Sequence, residues 1–116
     1  MKELFLLGQR ARPTDFYDFI PYRYGPCAFE VYKDLDLLKS EGYLKETPTP
    51  GSRYPTYQLT ELGVEFGRVA FDLLPNEARD EMVRVKREFN RMPIYALLSY
   101  VYENYPEFAT RTEWAF

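Results

Sequence analysis

Few residues in this chain are equipped for covalent or metal chemistry. There is no histidine and a single cysteine, so the commonest general base and the commonest metal ligand are both missing, and Cys27 has no imidazole to activate it. A helix N-terminus makes a thiol more acidic, but the expected role of Cys27 is that of a small side chain packed into a first helical turn. Asp34 and Asp36 look like a carboxylate pair until they are placed on a helix, where an offset of two residues turns them to nearly opposite sides. They do not converge on one ion. None of the six glycines belongs to a phosphate-cradling loop or a nucleophile elbow. The expectation is a non-catalytic chain with no metal and no cofactor, whose work is binding.

Two sets of residues compete for that work. Arg10, Arg12, Arg23, Lys33, Lys45 and Arg53 are the cations placed to meet phosphate, with Arg53 in a turn-rich segment; ordinary solvated surface charge is the other explanation for them. Glu30, Asp34, Leu37 and Glu41 share one helix face with Lys33 and Ser40. Glu30 and Asp34 repel each other at i, i+4 by a few tenths of a kcal/mol, a cost that a basic protein partner would offset and that a plain solvated face simply bears. The net charge of −3 and a pI near 5.0 give no general attraction to nucleic acid or to an anionic membrane. DNA contact would need a local patch, and a glutamate can read only the cytosine amino group among the base edges.

The element that carries most of these residues is a helix framed by its own signals. Gly25-Pro26 predicts a turn with proline at the first helical position, and Gly42 a left-handed exit. Between them Ala28, Val31, Tyr32, Leu35, Leu38 and the stem of Lys39 fall on one face, which is predicted to be buried. After it, Tyr43-Leu44-Lys45-Glu46, a proline-rich turn and Tyr54-Pro55-Thr56-Tyr57-Gln58-Leu59 predict a hairpin over about 43–59. Thr60 is the expected N-cap of a helix over 61–74 marked by Leu62, Phe66, Val69 and Leu73. Asn76 is expected to cap a charged helix to residue 92, striped by Ala78, Met82, Val85, Phe89 and Met92. Pro93 opens the last helix, to residue 105, with Ile94, Leu97, Leu98, Val101 and Tyr105 inward. At the other end, Lys2 to Gln9 predicts a first helix that Arg10, Arg12 and Pro13 close. The five aromatics from Phe16 to Tyr24 are expected to plug the core beside the central helix.

Together these elements predict an α+β fold, a winged helix-turn-helix with additional C-terminal helices, as one domain over 1–116: a winged-helix core at 1–60 and C-terminal helices at 61–116 that dimerise or cap. Extra aromatics such as Tyr95, Tyr100 and Tyr102 favour a homodimer through the helices at 76–92 and 93–105, with an intramolecular cap as the equal alternative. One cysteine makes no internal disulfide, and no secretory pattern opens the chain. The longest apolar run, Leu4 to Leu7, falls far short of the ~20 residues of a membrane span. A cytoplasmic protein with no membrane partner is expected.

Phe19-Ile20-Pro21-Tyr22-Arg23-Tyr24-Gly25-Pro26, continued by Phe29-Glu30-Val31-Tyr32-Lys33-Asp34-Leu35 and Glu41-Gly42-Tyr43-Leu44, resembles the core of the SocA-like (Panacea) antitoxin domain and of the related YwgA-like proteins. Tyr57-Gln58-Leu59-Thr60-Glu61-Leu62-Gly63 is similar to the exit from the wing in PadR-like and MarR-like regulators. The resemblance implies a winged-helix-like domain of the toxin–antitoxin or phage-defence kind that acts through protein contacts, and it supplies no catalytic residue. The commonest use of the fold makes a DNA-binding transcriptional regulator the leading expectation. A protein-binding, antitoxin-like adaptor that uses the acidic helix face is the alternative.

Overall fold

A computed structural model describes residues 1–12 and 15–114 of the chain. In order they form α1 (Lys2–Ala11), α2 (Phe29–Ser40), β1 (Leu44–Thr47), β2 (Thr56–Leu59), α3 (Glu61–Asp72), α4 (Asn76–Phe89), α5 (Ile94–Asn104) and a 3-10 turn at Pro106–Ala109. The fold is α+β, five helices with one two-stranded antiparallel sheet. Two compact units divide it. One joins Met1–Phe29 to the segment from Pro75 onward, and the other is Glu30–Leu74, whereas the sequence pattern predicts an internal boundary at 60/61. Among the described residues no helix is long and apolar enough to cross a membrane.

The first unit owns the main core. Leu6 of α1, Val85 and Phe89 of α4, and Leu97, Leu98 and Val101 of α5 are buried together, each contributing about 1.5–3 kcal/mol for the surface it removes from water. The stripes expected on α4 and α5 are thereby largely spent inside the unit. Ile94, expected inward, stands about half exposed as the first residue of α5, and Tyr105 caps that helix, partly buried against the core. A second apolar group surrounds Phe5, fully buried with Phe19, Tyr105 and Phe108 at ring-centroid distances of 5.4, 5.2 and 4.7 Å. Phe16 and Phe19 of the aromatic plug are therefore built on α1, while Tyr22 meets Phe29, the first residue of α2, edge-on at 5.3 Å. Phe16 lies so close to Gly8 that a Cβ there would meet the ring at 2.6 Å.

Several element ends differ from expectation for local reasons. Gly25 takes φ +108°, but the chain then stays extended long enough for Cys27 to pair with Ile20 through two main-chain hydrogen bonds of 2.8 and 2.9 Å. The helix starts only at Phe29, so Pro26 is not its first residue and Cys27 sits in a bridge and not at a helix N-terminus. α1 runs on to Ala11, and Arg12 closes it in a left-handed conformation (φ 46°) with its N–H bonded to Gly8. Pro13, expected to do so, lies outside the described residues. Pro75, not Asn76, is the N-cap of α4; Asn76 is its first residue, and its side-chain oxygen accepts a hydrogen bond from Arg79. That helix ends at Phe89, leaving Met92 beyond it, and α3 ends at Asp72.

The second unit is a hairpin held between two helices. β1 and β2 pair in the register Leu44↔Leu59, Lys45↔Gln58, Glu46↔Tyr57 and Thr47↔Thr56, inside the predicted limits. Gly42 leaves α2 at φ +86°, a left-handed value that costs a glycine nothing. Thr60 then performs two jobs. Its hydroxyl accepts from the Gly63 N–H at 3.0 Å, the expected cap, and donates to the Gly42 carbonyl at 2.6 Å.

Candidate functional site

Helix α2 positions the acidic ridge. Val31 is buried and Leu35 and Leu38 are half-buried, which turns Glu30, Lys33, Asp34, Leu37, Ser40 and Glu41 outward by the 100° step of the helix. All six are exposed. Tyr32, assigned to the inner face, is about half exposed because it lies at the edge of the apolar arc. Leu37 keeps 55% of its surface while Glu30, Asp34 and Glu41 flank it within about 60° on the wheel. Ser40, on the same face, spends its hydroxyl on the Leu37 carbonyl at 2.8 Å.

The hairpin is locked to this helix by charge. The Lys39 ammonium reaches Glu46 of β1 at 2.7 Å and Asp36 at 4.0 Å, and the hydrogen bond to Glu46 raises the Lys39 pKa above its ordinary value. Lys39 is thus a tie between helix and sheet. Behind it, the Tyr43 carbonyl accepts the Thr60 N–H at 3.1 Å, and Tyr43 stacks on Phe66 of α3 with centroids 4.4 Å apart. These contacts aim α2 and the hairpin as one piece.

The six candidate cations divide three and three between the two units. Arg10 donates to both carboxylate oxygens of Glu88 at 2.7 and 3.2 Å and to the Tyr100 hydroxyl at 3.0 Å, with its guanidinium 4.8 Å from the centre of the Phe89 ring. It clamps α1 to α4 and α5 and is not available for phosphate. Arg23 faces Glu113 at 3.8 Å and lies over Tyr22. Arg12 is exposed at the end of α1, in the same unit as Arg10 and Arg23. The second unit holds Lys33 on α2, Lys45 on β1 and Arg53 in the hairpin turn, all exposed and without an ion-pair partner among the described residues. It also carries eight acidic against five basic side chains, so its own charge is −3.

Two features had only faint signals in the sequence. Gly63 is required because the Tyr43 carbonyl fills the place of its missing side chain; the glycine of the wing-exit motif was the available hint. The stripe of α3 is the other. Its spacing was plain, but its exposure was not. In the first unit, a hollow of about 580 Å³ beside α1 is walled by Phe16, Tyr17, Phe19 and Phe108 with Asp15 and Asp18, and it contains none of the candidate cations. Comparison with family models, curated proteins and solved structures finds no match to this chain.

Proposed function

We propose that the chain is a non-catalytic winged-helix module of the cytoplasm, an antitoxin-like adaptor that binds a basic protein through the outer ridge of α2. The observation that carries this reading is Leu37, 55% exposed and set among Glu30, Asp34 and Glu41. An apolar anchor flanked by three carboxylates and by Lys33 matches a partner surface in which an apolar pocket is rimmed mostly by Lys or Arg. The same carboxylates repel DNA phosphates. The likeness of the α2 segment to antitoxin domains that act through protein contacts points the same way.

DNA binding in transcriptional control is the second reading, and Lys33, Lys45 and Arg53, exposed cations of the hairpin unit without an ion-pair partner among the described residues, support it. The two readings are separated by pull-down from native lysate with and without nuclease. The adaptor reading expects one stoichiometric basic protein that survives nuclease and is lost from a Glu30→Lys, Asp34→Lys variant of unchanged circular dichroism. DNA alone in the eluate sinks it. In that case anisotropy with duplex DNA should weaken steeply with salt, and Arg53→Glu should lower affinity across sequences.

A further inference from the structure

Helix α3 is apolar around most of its circumference, its polar arc being Glu61, Glu65, Arg68 and Asp72. A helix of that kind is ordinarily buried, yet Gly63 is its one buried residue. Leu62, Phe66, Val69 and Leu73 keep 51, 47, 62 and 81% of their surface accessible, and all four lie within about 60° of one another on the wheel. Leu59, 58% exposed on β2, sits beside them, since its Cδ2 lies 3.2 Å from where a Cβ on Gly63 would stand. At roughly 100 Å² for each half-exposed large side chain, these five leave on the order of 500 Å² of apolar surface. That is more than half of the ~800 Å² per partner that a stable association buries.

We propose that this face pairs with the same face of a second copy of the chain, antiparallel, about a two-fold axis through the middle of α3. The steps between the four residues are 4, 3 and 4, which read the same in both directions. An antiparallel copy therefore presents the stripe unchanged, with Leu62 against Leu73 of the partner subunit and Phe66 against Val69 of the partner subunit. This is the self-complementary pattern that a two-fold interface demands. Along the polar edge each Arg68 comes beside Glu65 of the partner subunit and each Glu61 beside Asp72 of the partner subunit, so opposite and like charges offset and the apolar stripe carries the pairing. None of these residues belongs to the α2 ridge, so the pairing stands or falls apart from the adaptor reading.

The test is sedimentation equilibrium of the full chain from about one to several hundred micromolar. A reversible dimer is expected. Val69→Glu and Leu73→Glu should each weaken it at least ~tenfold with unchanged circular dichroism, and Tyr95→Glu, exposed but on α5, should leave it unmoved. Register is read separately in a Cys27→Ala background, by oxidising Leu62→Cys and Leu73→Cys chains alone and mixed. A disulfide that forms only in the mixture supports the antiparallel pair. A monomer over the whole range, or a dimer that Leu73→Glu does not weaken, overturns the proposal; a disulfide within Leu62→Cys alone overturns its direction.

Discussion

The main-chain carbonyl of Tyr43 occupies the space that a side chain on residue 63 would need. Gly63 is thus set by the end of another element and not by a turn of its own. Gly63→Ala should lower stability by about 1–3 kcal/mol, the usual cost of overpacking, because main chain must move to admit the methyl group. Gly67, four residues on in the same helix, has open space within 4 Å of the point where a methyl group would stand, and Gly67→Ala should raise stability by about 0.5–1 kcal/mol. Urea unfolding of both variants decides it, since equal shifts of the same sign would mean that the Tyr43 contact is unimportant.

Thr60 holds the two ends of the hairpin unit together through the Gly42 carbonyl and the Gly63 N–H. Removing its hydroxyl in Thr60→Ala should cost about 1–2 kcal/mol, the upper range for a helix cap. Thr60→Ser keeps both bonds and should lose well under half of that. A Ser variant as unstable as the Ala variant would place the effect in the methyl group instead.

The pairing of Arg10 with Glu88 gives stability a pH dependence of known sign. The hydrogen bond from Arg10 holds the Glu88 carboxyl below its ordinary 4.5, and Glu88 in turn holds the guanidinium above its own ordinary value. A carboxyl depressed in the folded state adds stability that is complete above its unfolded value and is lost as pH falls through the folded value; the arginine stays charged throughout. With Glu88 49% exposed, the contribution is about 1 kcal/mol or less. Glu88→Gln should therefore be less stable than the parent near neutrality and approach it as pH falls below the ordinary carboxyl value of 4.5. Arg10→Lys should recover only part of the pairing, because an ammonium does not make two parallel bonds to one carboxylate.

Hydrogen exchange should separate the two units. Leu98 and Val101 are fully buried on α5, while every residue of β2 is exposed, and local opening is easiest where few apolar contacts cover the backbone. Amides of α5 should exchange slowest and those of β1 and β2 at least ~tenfold faster. Equal protection in the two would mean that the hairpin opens only with the whole chain.

What the sequence by itself determined is local. Gly42 and Thr60 announced the end of one helix and the start of another, the proline-rich turn between two short apolar runs announced the hairpin, and the stripes of α4 and α5 announced inward faces, because each of these signals acts over a few residues. Tertiary structure alone decided which of these residues stay exposed. Arg10 reads as a free cation until Glu88, seventy-eight residues away, takes it up. Cys27 reads as a helix start until Ile20 draws it into a bridge. The stripes of α3 and α4 look alike in spacing, yet Val85 and Phe89 are enclosed and Leu62 and Phe66 are not. Periodicity marks a face as apolar, but whether that face is covered depends on elements brought to it from far along the chain.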